Sequence, residues 1–205
     1  MDANQESRRN PFGMDEECPN CPVLEESREQ VVHGYGDVGA DFMFVGEIPG
    51  PTADREGVPF AGSDRLFDIL ADLGLVDGED GEGPAVENVF LTGLTRCHHP
   101  GRGPTDDEIR NCEPFLNAEV RMINPEILVP VGQRALRELG KEHTTTPAEE
   151  FDDDDHATTI RGRGFELVPM VDPAEMTDDQ ATEFVGHFRD LMDSDYRQTK
   201  GRRGR

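Results

Sequence analysis

The sequence predicts an α/β protein, a three-layer α/β/α arrangement around a short, mostly parallel four-stranded sheet. Three observations carry this. Four short apolar runs alternate with helical patterns of apolar residues at spacings of three and four. Two of those helices open on capping boxes, Thr105-Asp106-Asp107-Glu108 and Thr177-Asp178-Asp179-Gln180, in which each partner satisfies an orphan backbone N–H. A glycine-rich turn, Gly46-Glu47-Ile48-Pro49-Gly50, follows the first run as an elbow follows a buried strand.

In chain order, residues 1–14 are polar and unpatterned, and are expected to be disordered. Residues 41–45 form the first strand. Ser63 or Asp64 caps a helix with Leu66, Phe67, Ile69, Leu70 and Leu73 on one side, ending near Gly74. Residues 77–84 are acidic and Gly-rich and are expected to form a loop, and 88–92 form the second strand. The helix after Thr105 carries Ile109, Cys112, Leu116, Val120 and Ile123 on one stripe, so Cys112 faces inward. Residues 126–131 form the third strand, followed by Gly132 and a helix through Ala135, Leu136 and Leu139. Residues 141–159, with four successive aspartates at 152–155, are expected to be a solvated loop. Residues 165–171 form the fourth strand. Ala181, Phe184, Val185, Phe188 and Leu191 mark the last helix. One domain over 15–193 is expected, then a polar, basic-ended tail over 194–205. In such sheets ligands sit outside the C-terminal strand ends, here residues 46–50, 93–96, 131–133 and 171–173.

Composition limits the partners. The chain has 205 residues, 44 acidic against 20 basic, a formal net charge of −24 and two lysines, Lys141 and Lys200. Patterned segments between the acidic stretches point to a folded protein with the carboxylate-rich skin of a salt-adapted cytoplasm. Nucleic-acid binding leans on Lys/Arg–phosphate contacts, so any such contact must come from a local arginine patch and a specific pocket. Arg96, Arg102, Arg161 and Arg163 are the candidates. No apolar stretch reaches the roughly 18 residues of a membrane span and residues 1–14 hold no apolar signal segment. A cytoplasmic monomer is the expectation. Its four cysteines, Cys18, Cys21, Cys97 and Cys112, are then read as metal ligands rather than disulfides. Spacing alone leaves a Cys₄ zinc site and an iron–sulfur cluster equally open.

The motifs together are specific. Cys18-Pro19-Asn20-Cys21 is followed by Gly46-Glu47-Ile48-Pro49-Gly50, then Asp54, then Gly57-Val58-Pro59-Phe60-Ala61-Gly62. Next come Cys97-His98-His99-Pro100-Gly101-Arg102, Cys112 inside a helix, and the glycine-ended strand Val129-Pro130-Val131-Gly132. In these segments, from Cys18 to about Phe188, the chain resembles the family 4 uracil-DNA glycosylases, the iron–sulfur members of the uracil-DNA glycosylase superfamily. The resemblance implies a [4Fe–4S] cluster on the four cysteines and base excision from DNA. It implies Phe60 as the aromatic that stacks on a flipped base, Glu47 as the carboxylate that positions water, and Asp54 as the second motif carboxylate. Backbone N–H groups near Ile48 and Gly50 would serve the leaving oxygen.

At two positions the chain departs from that family. A segment like ITNVVKC ends the family's second strand, but here the chain reads Leu91-Thr92-Gly93-Leu94-Thr95-Arg96-Cys97, with Gly93 in the asparagine's place. The second motif, as in THPA, becomes Val171-Asp172-Pro173-Ala174, with Asp172 in the histidine's place. Gly93 supplies no amide to read uracil's edge, and a site without its reader loses most of its discrimination. An ionised Asp172 only accepts hydrogen bonds, so it repels a departing uracil anion. The changes point to another deaminated or damaged base contacted by Asp172, or to a non-catalytic iron–sulfur relative that binds nucleic acid.

Overall fold

A computed structural model describes residues 7–81 and 83–197. In chain order the elements are α1 (Pro22–Ser27), β1 (Tyr35–Gly36), β2 (Phe42–Gly46), α2 (Pro51–Glu56), α3 (Asp64–Asp72), β3 (Val76–Asp80), β4 (Gly83–Val86) and β5 (Val89–Gly93). There follow α4 (Asp106–Ile123), β6 (Ile127–Pro130), α5 (Gln133–His143), two 3₁₀ turns (Ala148–Glu150 and Asp153–Asp155), β7 (Ile160–Arg161), β8 (Glu166–Leu167) and α6 (Asp178–Asp193).

The main sheet has six strands in the order β1-β5-β2-β6-β8-β7, not the expected four. Its centre, β5-β2-β6-β8, is parallel as the alternating pattern predicts. The added edge strands β1 and β7 pair antiparallel. Each is two residues long, too short to show any alternation of apolar and polar residues. The acidic stretch expected as a loop is instead the β3–β4 hairpin, a separate two-stranded sheet.

Alternation along the central strands builds two cores. Phe42, Phe44, Leu91 and Val129 face Leu66, Ile69 and Leu70 of α3 and Phe184 and Phe188 of α6. Met43, Val45, Phe90 and Leu128 face Ile109, Leu116 and Val120 of α4 and Ala135 and Leu139 of α5. Phe42, Phe44, Met43 and Val45 are wholly buried, and each such side chain contributes about 1.5–3 kcal/mol. Both capping boxes form, with Thr105 Oγ1 accepting from Glu108 N and Thr177 Oγ1 from Gln180 N.

Residues 141–159 are not simply solvated. Phe151 is 2 % exposed, and its ring lies where a side chain on Gly140 would have to go. His156 is also buried, its Nε2 donating to Gln180 O (2.9 Å) and its Nδ1 accepting from Val171 N (3.1 Å). Of the leader expected to be disordered, residues 7–14 run along the sheet edge. Arg9 bridges Tyr35, Asn10 N donates to Gly34 O (3.0 Å), and the Phe12 ring packs on Phe90. After α6, Tyr196 donates to Asp41 Oδ2 (2.9 Å). Residues 1–6 and the basic tail end, 198–205, lie outside the described residues. Among the described residues no helix is long and apolar enough to cross a membrane.

Candidate active site

The C-terminal ends of β2, β5 and β6 and the segment after β8 open into one cavity of about 440 Å³. Its lining includes Glu47, Ile48, Gly50, Phe60, Gly93 and Asp172, so the sequence-predicted site residues come together, with Asp54 as the exception. Asp54 sits in α2, 3 % exposed, and its carboxylate accepts from Glu29 N (2.9 Å) and Gln30 N (3.4 Å). It fixes the segment after α1 and does not line the cavity.

Phe60 has a left-handed backbone, φ 63°. That turn lays its ring against Gly46, where a Cβ would stand 2.8 Å from the ring edge. The close approach explains the glycine at this strand end. Gly93 has ordinary backbone angles, so conformation does not demand a glycine. A Cβ there would meet Thr95 O at 3.0 Å and Gly46 O at 3.5 Å, tight against the neighbouring strand end. Among the described residues neither Ile48 N nor Gly50 N donates to a backbone carbonyl, which leaves both available to a ligand.

Glu47 is half-buried. Burial pushes its carboxyl above the usual range, Arg134 draws it down, and Asp172 pushes it up again. Glu47 and Asp172 line the same cavity. Asp172 Oδ1 accepts from Ala174 N (2.9 Å), which closes the turn that presents it. Glu47 also lies against Gly103, where a Cβ would be 2.7 Å from Glu47 Oε1. Arg134, in the first turn of α5, pairs with Asp106 and with Glu138 (3.2 Å). Its place just after a glycine-ended strand was the sequence signal for it.

The arginines expected at phosphates are placed differently. Arg96 is 1 % exposed and pairs with the equally buried Glu119 (2.7 Å). Burial pushes the Glu119 carboxyl up, against Arg96 and Thr92, which draw it down. Glu119 also accepts from Thr92 Oγ1 (2.6 Å) and Gly34 N (3.1 Å), while the Arg96 guanidinium donates to Gly93 O. Sequence reasoning missed Glu119, although it lies on the Cys112–Leu116–Val120–Ile123 stripe of α4. Arg102 makes a two-point pair with Glu108 (2.7 Å each). Arg161 and Arg163 are exposed.

All four cysteines are buried and free. Cys18, Cys21 and Cys97 share a cluster with Leu24, Val31 and Phe115. Arg28 Nη1 donates to Cys97 Sγ (3.1 Å), Asn111 Nδ2 to Cys21 Sγ (3.5 Å), and the Arg96 N–H to the Cys112 sulfur. Burial pushes the Cys97 thiol up and the Cys112 thiol to about 11. Among the described residues no three His, Cys, Asp or Glu side chains stand together as a single-ion site. The cysteine loop adjoins the cavity wall. Leu94 N donates to Gly46 O (2.8 Å), Thr95 N to Glu47 O (3.2 Å), and His98 Nδ1 bonds Pro49 O (2.8 Å).

A cavity at the carboxyl ends of a parallel sheet, with the loop aromatic Phe60 and three carboxylates, Glu47, Asp64 and Asp172, on its wall, defines an α/β domain with a ligand-sized site at its strand ends. The family follows from comparison. The model of the uracil DNA glycosylase superfamily matches residues 33–192, and the chain belongs to that superfamily. It is 35 % identical over 128 residues to the type-4 uracil-DNA glycosylase of Saccharolobus solfataricus, covering 60 % of this chain and 55 % of the relative. It is 34 % identical over 122 residues to the type-4 enzyme of Thermotoga maritima, covering 58 % of each. The type-5 uracil-DNA glycosylase of Mycobacterium tuberculosis is 30 % identical over 161 residues, 63 % of this chain and 60 % of the relative. The chain thus spans less than two thirds of the length of these relatives.

Proposed function

We propose that the chain is a DNA glycosylase that hydrolyses the N-glycosidic bond of uracil or another deaminated or damaged base. The observation that carries this reading is the convergence of Glu47, Ile48, Gly50, Phe60, Gly93 and Asp172 on one cavity. A base flipped from the stack lies on the Phe60 ring. Glu47 orients the attacking water. The N–H groups of Ile48 and Gly50 face the leaving base, where fixed donors stabilise developing negative charge. Asp172 contacts the base edge as an acceptor. Asp54 serves from outside the cavity by holding the 29–30 segment. Residues 15–193 form the working domain, a monomer in a salt-rich cytoplasm.

The donor set fits a [4Fe–4S] cluster on Cys18, Cys21, Cys97 and Cys112. All four thiols are buried, and three of them, Cys97, Cys21 and Cys112, accept N–H bonds from Arg28, Asn111 and Arg96, the kind of bond that tunes thiolates on a cluster. Such a cluster, when bound, supplies a cross-link between the N-terminal segment, the loop after β5 and α4. A zinc ion on the same thiols is the alternative, and metal analysis with the visible absorption spectrum separates the two. Gly93 and Asp172 favour a second reading, a non-catalytic relative that binds nucleic acid.

The test is base excision by cluster-loaded protein on single-stranded DNA containing uracil or hypoxanthine, in concentrated potassium chloride. Strand scission at the modified site after alkali is the expected result. No scission on these strands or on strands carrying an alkylated base, from folded, cluster-bearing protein that still binds the DNA, overturns the glycosylase reading in favour of the second.

A further inference from the structure

The cavity wall carries three carboxylates, Glu47, Asp64 and Asp172, and one guanidinium, Arg65, and has no side-chain amide that would read a neutral pyrimidine. Burial pushes the Glu47 carboxyl up, Arg134 draws it down, and Asp172 pushes it up. The nearest guanidiniums are already committed, Arg134 to Asp106 and Glu138, and Arg65 to Asp178 (2.7 Å). Asp172 is held in its turn by the Ala174 N–H, so its charge is a fixed part of the wall. Gly93 adds no side chain to the wall, and its nearest neighbours are the carbonyl oxygens of Thr95 and Gly46. Those oxygens are acceptors as well. The volume of about 440 Å³ lies within the range of small-molecule sites, about 300–1,000 Å³.

Resting on the glycosylase reading, we propose that this site is selective for a positively charged, N-alkylated purine in DNA rather than for uracil. The chemistry of the leaving group decides it. When water attacks C1′ of a deoxyuridine, the electron pair of the breaking C1′–N bond leaves on uracil as an anion, beside Glu47 and Asp172. Like charges repel, and a cavity wall screens them less than bulk water does. When the base is N7-alkylated guanine, the same electron pair returns to a ring that already carries a positive charge. The base departs neutral, the water oxygen bonds C1′, and one water proton is released through Glu47 to solvent. No donor for a leaving anion is needed, and the carboxylates stabilise both the cationic base and the positive charge developing on the sugar. The Phe60 face adds attraction for a flat cation.

The test is single-turnover release from otherwise identical oligonucleotides carrying one N7-methylguanine, one uracil or one hypoxanthine, scored against the uncatalysed depurination of the N7-methylguanine strand. Wild type is expected to release N7-methylguanine at least ~10-fold faster than uracil. Asp172→Asn, which keeps the shape and removes the charge, is expected to slow that release about 10-fold and to speed uracil release, so that the ratio of the two rates falls. Release of uracil or hypoxanthine with no N7-methylguanine release above background overturns this inference and keeps the glycosylase reading. Release of none of the three overturns both. Equal slowing of all substrates by Asp172→Asn also overturns it, since Asp172 would then hold the wall and not select by charge.

Discussion

Replacing Glu119 by leucine tests the buried centre beneath the cavity. Arg96 and Glu119 are each 1 % exposed at their side chains. Glu119→Leu leaves the Arg96 guanidinium in the interior with Gly93 O as its remaining acceptor, and removes the acceptor of Thr92 Oγ1 and Gly34 N. Breaking such a pair from one side costs about 3–5 kcal/mol, a large part of the 5–15 kcal/mol that holds a typical domain together. At about 2–4 °C per kcal/mol for a chain of this size, Tm falls by about 6–20 °C. The double variant Arg96→Met with Glu119→Leu carries no buried charge, and it regains at least half of that loss because apolar replacement of a whole pair is close to neutral. The assay is thermal unfolding followed by circular dichroism in dilute and concentrated potassium chloride. Asp178→Asn, which breaks the exposed Arg65–Asp178 pair, is the control at under about 1 kcal/mol. The loss in Glu119→Leu persists at high salt, because a buried pair is poorly screened. A drop below about 3 °C, or a double variant no better than the single, refutes the assignment of this pair as the structural centre.

Other predictions concern the cavity and its supports. Gly103→Ala moves the Glu47 carboxylate, the flexible group it meets at 2.7 Å. Base-release kcat falls by about 10-fold or more with Tm unchanged within 2–3 °C, and equal kcat sinks the role given to Glu47. Gly93→Asn with Asp172→His restores an amide and a donor and raises uracil release. Assayed on the uracil strand, no gain means that the Thr95 O contact at 3.0 Å does not yield. Cys112→Ser lowers bound iron per chain and the visible absorbance, and unchanged iron content removes Cys112 from the ligand set. Glu108 is held down to about 2 by the two-point Arg102 bond, against a reference of 4.5. The sign follows: this stability is present above pH 4.5 and is lost as pH falls toward about 2, and solvent around the exposed Arg102 keeps it small. Urea midpoints of wild type and Glu108→Gln should differ at pH 7 and converge only near pH 2, and a constant gap counts against it.

How much was legible in sequence depended on the reach of each signal. Strand ends and helix faces are local, so the apolar runs and the two capping boxes placed β2, β5, β6, α4 and α6, and the sheet rule then placed the cavity. The edge strands escaped because two residues cannot show a period. The hairpin escaped because Asp77, Glu79 and Asp80 read as solvated loop, although Val76 pairs with Val86. Asp54 and Arg96 carried motif or charge signals of the right kind, but their use depends on partners 24–25 and 23 residues away, Glu29, Gln30 and Glu119. No pattern in one chain encodes such pairings. Phe60 was legible as a loop aromatic, whereas its dependence on Gly46 became visible only once β2 and the 59–62 loop met.

The cysteine loop and the cavity share a backbone, and this constrains how the two depend on one another. Gly46, Glu47 and Pro49 on the cavity wall accept from Leu94 N and Thr95 N and bond His98, all within four residues of Cys97. Arg96 extends the link, donating its guanidinium to Gly93 O and its N–H to the Cys112 sulfur. Displacing Cys97 therefore moves the carbonyls that set the Glu47 turn before it disturbs any core residue of β2 or β5. Loss of the metal group would then degrade base release at a temperature where the sheet is still intact. A cluster that only added global stability would lose both together. Base-release rate and far-ultraviolet ellipticity followed on one sample during chelation separate the two cases: activity falling first supports the shared wall, and coincident loss argues for a purely global role.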